Sequence, residues 1–234
     1  EPFFERGGIP CRFVGHPVVE YGADRGDGAG FRKKYGIAED DTVICVLLGS
    51  RRSEVTRLAI PFAGALELLQ KKHPSLKAVV PTVSNVGGLV RELTDAFPVP
   101  TLVVQGRDEK YDAMAASNAA IAASGTVALE IALAGLPAVI AYKVAPVTAA
   151  ILRSLMLVRF VNLINLILER EVVPERLQFQ CTPEILAAET EKLLGADGAA
   201  QIAEARVALA QLGAEGTPPS RRAAEAVLDV VKER

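Results

Sequence analysis

The run "AASGTVALEIALAGLP", residues 122–137, is apolar almost throughout, yet it carries Ser124, Gly125 and Thr126 in succession and then one carboxylate, Glu130. Glycine lets a backbone approach a ligand closely, and Ser or Thr can cap a helix or hydrogen-bond an anion. The first turn of a helix also presents unpaired N–H groups and a positive dipole end, which suits a phosphate. Glu130 follows Thr126 by one helical turn, so the two share a helix face. A carboxylate there could accept hydrogen bonds from two vicinal ribose hydroxyls. The set fits a nucleotide diphosphate. An ordinary helix cap followed by a solvated glutamate fits the same residues.

A second run, "LLGSRRSEV" (47–55), carries a similar signal. Gly49 and Ser50 make a tight turn, and Arg51 and Arg52 put guanidinium groups where a pyrophosphate would sit. Ser50 and Ser53 are alternative caps, and Glu54 suits the helix dipole. A surface Arg pair making helix-end ion pairs is the alternative. Neither a GxGxxG nor a GxxxxGK[ST] run occurs, so the common dinucleotide and ATP loops are unsupported.

Other polar residues are less telling. His16 in "FVGHP" is either a site residue or a structural loop histidine, and His73 reads as a helix-end cation. Asn162 and Asn165 are amides inside an apolar run. Each needs partners if buried, so they bind backbone, bind ligand or mark a loop. "EREVVPERLQFQC" (169–181) adds Glu175, Arg176 and Gln178 to that neighbourhood. There is no Ser/His/Asp set, no metal cluster and no convincing carboxylate pair, so no metal or cofactor is called for.

The elements that must position these residues alternate. The run at 42–48 reads as a strand buried on both faces, and 77–81, 101–105, 118–124 (weak in propensity because of its alanines) and 137–142 read as further strands. Between them, helices are expected at 54–73, 87–96, 109–117 and 126–134. Such βα alternation predicts an α/β fold, a Rossmann-like doubly wound parallel sheet with right-handed crossovers. Ligands bind such sheets at the carboxyl ends of the strands, where both turns fall. Residues 1–30 read as linker and loop with a short strand at 11–14, and 31–37 as a short helix. Extra helices are expected at 183–194, 198–212 and 220–233. The domains expected are 1–30 as linker, 31–194 as the ligand-binding unit and 195–234 as C-terminal helices.

Residues 144–168 are strongly apolar, but Pro146, Arg153, Arg159, Asn162 and Asn165 interrupt them. Each central Arg would cost about 2.5–3.5 kcal/mol in a membrane span. A helix of about ten residues, then a short strand or loop near 160–163 and another turn, fits better. A membrane-touching face stays open.

Composition bounds the rest. A chain of 234 residues, half of them hydrophobic, can bury a full core without staples. The net charge of −2 offers no nucleic-acid footprint. Cys11, Cys45 and Cys181 are odd in number and far apart, which suits a reducing cytoplasm. The opening run "EPFFERGGIP" has no leader and reads as the interior of a longer chain.

The runs "CRFVGHPVVE", "LLGSRRSEV", "AASGTVALEIALAGLPAVIAYK", "FVNLINLILEREVVPERLQ" and "CTPEIL" occur in that order. Together they resemble the C-terminal half of the lipid-A-disaccharide synthases, from about residue 2 to 194. That family is an inverting glycosyltransferase of the GT-B type, with two Rossmann-like domains facing across a cleft. It joins UDP-diacylglucosamine to lipid X, at the cytoplasmic face of the inner membrane, and releases UDP. The resemblance implies that Gly49, Ser50 and Arg51 meet the diphosphate. It puts Ser124, Gly125 and Thr126 at phosphate or sugar and Glu130 at the ribose. Asn165 and Gln178 would line the donor side, and His16 would lie at an interdomain loop.

The general base and much of the acceptor site belong to the N-terminal domain of such enzymes, so this chain alone is expected not to turn over. The terminal helix is expected to lack its packing surface here and to be mobile or paired with another copy as a homodimer. Three positions depart from the family's usual runs: Leu48 stands for proline, Ile164 precedes Asn165 in place of proline, and Asn118 stands for aspartate. Other UDP-sugar enzymes of the same fold, an epimerase or a peptidoglycan glycosyltransferase, are the alternative. So is a non-enzymatic module working at a membrane surface.

Overall fold

The computed structural model describes residues 2–145 and 159–232. The helix and membrane-touching face expected within 146–158 lie outside the described residues. Six parallel strands form one sheet: β1 (Val43–Leu47), β2 (Lys77–Thr82), β3 (Thr101–Gln105), β4 (Ala119–Ala123), β5 (Ala138–Tyr142) and β6 (Glu175–Leu177). Their spatial order is β3-β2-β1-β4-β5-β6. This is the doubly wound order of Rossmann sheets, so the expected fold class holds.

The helices, in chain order, are α1 (Pro2–Arg6), α2 (Gly28–Tyr35), α3 (Arg52–Gln70), α4 (Gly87–Thr94) and α5 (Arg107–Ala116). They continue with α6 (Val127–Leu133), α7 (Leu163–Leu168), α8 (Pro183–Leu193), α9 (Ala196–Gln211) and α10 (Pro219–Lys232).

Strand residues alternate between two cores, as the period of two requires. Ile44, Val46, Ala119, Ile121, Val139 and Ala141 face a core shared with α3, α4 and α8. Cys45, Leu47, Ala120, Ala122, Ala138 and Ile140 face the other, which α5, α6 and α9 complete. β4 is almost all alanine, a poor strand former, yet every residue in it is buried. Helices press on both faces there, and small side chains let them close. Helix α9 is built into this layer: Gln201 accepts from the Ala138 N–H at 2.6 Å and donates back to the Ala138 carbonyl at 3.1 Å.

Three details differ from the sequence expectation. Residues 11–14 form no strand; they run as irregular chain. Phe13 is half exposed, so the run has no apolar face to lay on a sheet. The second difference is β6, which the sequence reading missed because its three residues, Glu175, Arg176 and Leu177, carry no apolar pattern. A buried polar cluster fixes it instead. The Glu175 carboxylate accepts from the backbone N–H groups of Val161 (2.8 Å) and Asn162 (3.0 Å) and from the Asn165 amide (2.7 Å). Asn165 also donates to the Val173 carbonyl and accepts from the N–H groups of Val172 and Val173. Third, residues 2–6 form a short helix that was not expected.

α10 leaves Val227, Leu228, Val230 and Val231 more than half exposed. Its first turn is held by Glu20, which accepts from the Ser220 N–H and hydroxyl. No described helix is long and apolar enough to cross a membrane.

Two substitutions test this packing. Ala120→Leu should lower stability by about 1–3 kcal/mol through overpacking. Asn165→Ala strands four partners and should cost on the order of 3 kcal/mol. Urea unfolding with an unchanged slope would report both.

Candidate functional site

A doubly wound sheet has one place where neighbouring strands send their chains to opposite sides. Here it lies between β1 and β4, which pair in parallel with Cys45 beside Ala120 and Leu47 beside Ala122. The crevice outside the carboxyl ends of such a strand pair is the preferred ligand site. Gly49-Ser50-Arg51 follows β1, and Ser124-Gly125-Thr126 follows β4. The fold therefore brings together the two runs that the sequence singles out.

The β1 turn is tight. Gly49 has φ +101°, and a Cβ there would lie 2.5 Å from the Glu54 carboxylate. Glu54 is 8% exposed at its side chain, and it accepts from the N–H groups of Ser50 (3.1 Å) and Arg51 (3.2 Å). It also pairs with the Arg51 guanidinium at 2.6 Å, which raises the pKa of Arg51 further. Asn85 closes the turn from the β2–α4 loop by donating to the Ser50 carbonyl at 2.9 Å. Arg51 itself is 74% exposed, with most of its donors free for a ligand. Leu48, where the family usually has proline, is buried beneath the turn.

The β4 turn is the opposite case. Ser124 donates its N–H to the Ala141 carbonyl at 2.9 Å, tying the turn to β5. The N–H groups of Gly125, Thr126 and Val127 meet no acceptor among the described residues. Gly125 has φ +155°, and a Cβ there would meet open space. Gly125 and Thr126 are exposed. One turn brings a cation and the other brings backbone donors.

Glu130 lies on α6, below the second turn, and it is buried. Lys110 donates to both of its oxygens at 2.8 Å, and the Tyr111 hydroxyl donates to Oε1 at 2.9 Å. The glutamate is thus not the solvated residue of the alternative reading. Burial, above all, raises the Tyr111 pKa, with the Glu130 bond adding to it, so the phenol stays a donor. Arg107 lies 5.0 Å from the Tyr21 ring centroid and 6.0 Å from that of Tyr111, and it donates to the Tyr21 carbonyl at 3.0 Å.

The sequence reading missed Lys110 and Tyr111. They stand on α5, one element before β4, and only the crossover brings them to Glu130. Gln178 follows β6 at the same edge of the sheet, in a left-handed backbone conformation (φ +50°) that non-glycine residues seldom adopt.

Asn165 requires a correction as a donor-side residue. It is fully buried, and its amide is saturated by Val172, Val173 and Glu175, so no polar group remains for a ligand. His16 begins a 3-10 turn (Pro17–Glu20). Its Nδ1 accepts from the Val18 N–H at 3.2 Å, and the His16 backbone N–H donates to the Leu212 carbonyl. His73 pairs with Glu191 at 3.0 Å. Asn118 accepts from the Val43 N–H at 2.8 Å and from Arg32 at 3.3 Å, bonds that the family's usual aspartate would also accept. Cys45 is fully buried, which pushes its thiol pKa up to about 12. No group of three metal-ligating side chains occurs among the described residues.

Comparisons with known proteins bear on this geometry. The chain is 54% identical over 235 residues to a lipid-A-disaccharide synthase of Rhodospirillum centenum, with all of this chain and 59% of that protein covered. It is 48% identical to the enzyme of that name from Paramagnetospirillum magneticum, covering 99% of this chain and 60% of that protein. The chain thus spans about three-fifths of the length of these curated relatives.

Among solved structures, a UDP-GlcNAc 2-epimerase from Neisseria meningitidis bound to UDP-GlcNAc superposes with a TM-score of 0.57 at 13% identity. The match covers 97% of this chain and 58% of that one. MurG of Acinetobacter baumannii matches with a TM-score of 0.53 at 16% identity, with the same coverage. At these identities the likeness is one of fold, that of GT-B glycosyltransferases and epimerases. The model of the lipid-A-disaccharide synthetase family matches residues 1–228, and the chain belongs to that family.

Proposed function

We propose that this chain is the UDP-sugar-binding half of an inverting glycosyltransferase that joins UDP-diacylglucosamine to lipid X. The products are the lipid A disaccharide 1-phosphate and UDP. The observation that carries this reading is the meeting of the two turns at the switch point between β1 and β4.

Arg51 takes the diphosphate from one side with a forked cation. Ser124 and the free N–H groups of Gly125 and Thr126 take phosphate or sugar from the other. Glu130 takes the ribose, and Gln178 borders the donor side. When the glycosidic bond to the donor breaks, negative charge grows on the departing UDP. Fixed donors already aimed there stabilise that charge without reorganising. The acceptor and the general base belong to the part of the relatives' length that this chain does not span. A positioned base typically contributes 10²–10⁴-fold.

The acylated substrates place the work at the inner face of the inner membrane, with the protein peripheral to it. The apolar face of α10 is suited to packing against the facing domain or a second copy.

A UDP titration followed by heteronuclear NMR tests the donor site. Shifts should cluster at residues 49–54 and 124–130. Arg51→Ala and Glu130→Ala should each weaken binding by about tenfold or more, the scale of one charged hydrogen bond. Millimolar UDP that moves neither turn would overturn the assignment. The purified chain should also make no disaccharide from the two lipid substrates, and product formation would refute its being half of an active unit.

A further inference from the structure

We infer that Lys110 is a positioning residue. It holds Glu130 oriented for a ribose diol, and so makes the site select ribonucleoside over dideoxyribonucleoside diphosphates. The inference rests on the reading of Glu130 as the ribose acceptor.

A carboxylate offers about four lone-pair positions. Tyr111 and Lys110 occupy Oε1 together, and Lys110 alone reaches Oε2, so the open position is on Oε2. Lys110 is itself clamped. Its ammonium lies 4.7 Å from the Tyr111 ring centroid and bridges the carboxylate, while the side chain stays 24% exposed at the rim. A cation there compensates the charge of a buried carboxylate and ties both of its oxygens in one orientation. A ribose hydroxyl meets Oε2 directly, and its neighbour gains Oε1 if Lys110 gives up one of its two bonds.

Arg107 stands beside the same cluster, over the Tyr21 and Tyr111 rings. Its bond to the Tyr21 carbonyl leads away from Glu130, which Lys110 and Tyr111 hold.

A merely structural ion pair predicts something different from a positioning one. Losing a structural pair weakens every nucleotide equally or lowers the melting temperature alone. Losing a positioning pair removes only the part of the affinity that the hydroxyls contribute.

The test is calorimetric titration of UDP and of 2′,3′-dideoxy-UDP into the chain and into Lys110→Met, Lys110→Arg and Glu130→Gln, with melting temperatures alongside. The unsubstituted chain should prefer UDP by about tenfold, which is about 1.4 kcal/mol. Lys110→Met should bring that preference below about twofold and leave the affinity for the dideoxy nucleotide within about twofold. Lys110→Arg should retain most of the preference, and Glu130→Gln should lose it. If Lys110→Met does not fold, Lys110→Gln, which keeps a hydrogen bond but no charge, is expected to show the same fall.

A folded Lys110→Met that keeps its full preference overturns the inference and leaves the ribose assignment standing. An unsubstituted chain that does not distinguish the two nucleotides, or binds neither, overturns the ribose assignment itself and the inference with it.

Discussion

The parallel pairing of β1 with β4 is the constraint on which the rest of the molecule depends. The chain leaves β1 to build β2 and β3 on one side, then returns to lay β4 against the other edge of β1. From there it moves away through β5 and β6. Two crossovers departing in opposite directions leave a crevice between their first turns, and no side chain has to be recruited to make it. The alanines of β4 follow from the same pairing. A central strand covered by helices on both faces has room for little more, and Ile121 is its one large side chain.

The charges at this edge are arranged in a way that composition would not suggest. A site read as binding a diphosphate contains two buried carboxylates, Glu54 and Glu130, and each is matched by a cation of the chain. Glu54 has a specific consequence. By accepting from the Ser50 and Arg51 amides it takes two of the N–H donors of its own turn. The exposed Arg51 guanidinium remains for an anion. The β4 turn has amides that meet no acceptor among the described residues, and no Lys or Arg stands within it. The two turns are therefore complementary, one richer in cations and the other in backbone donors. The Arg51–Glu54 pair, with an exposed guanidinium, contributes little to stability. Its value lies in orienting a long side chain.

Most of the fold could be read from the sequence, because parallel strands buried on both faces announce themselves as β-branched and aliphatic runs. "TVICVLL" and "PAVIAY" are of this kind. The reading failed where polar groups decide the structure. β6 exists because Glu175 and Asn165 bond each other and five backbone groups, and nothing in "ERL" shows this. The same cluster explains why Asn165 looked like a ligand contact. A buried amide has to bond something, and the sequence cannot say whether that is backbone or substrate. "CRFV" failed in the opposite sense, since an apolar run without a sheet edge to join remains a loop. Lys110 was invisible for a topological reason: its partner lies beyond a strand and a turn.

The two turns form a wall rather than a pocket. Ser50, Arg51, Gly125 and Thr126 are all exposed, and they face outward from the edge of the sheet. Well-formed small-molecule sites enclose some 70–90% of a drug-sized ligand. A single wall leaves one face of a nucleotide diphosphate in water, where charged contacts are screened and weakened. Specificity can survive that exposure better than affinity does. Glu130 is the one proposed contact that is buried before any ligand arrives, with its charge matched and its orientation fixed by Lys110 and Tyr111. The proposed ribose contact is therefore preorganised within this chain. The proposed phosphate contacts, exposed as they are, gain strength only where water is kept from them.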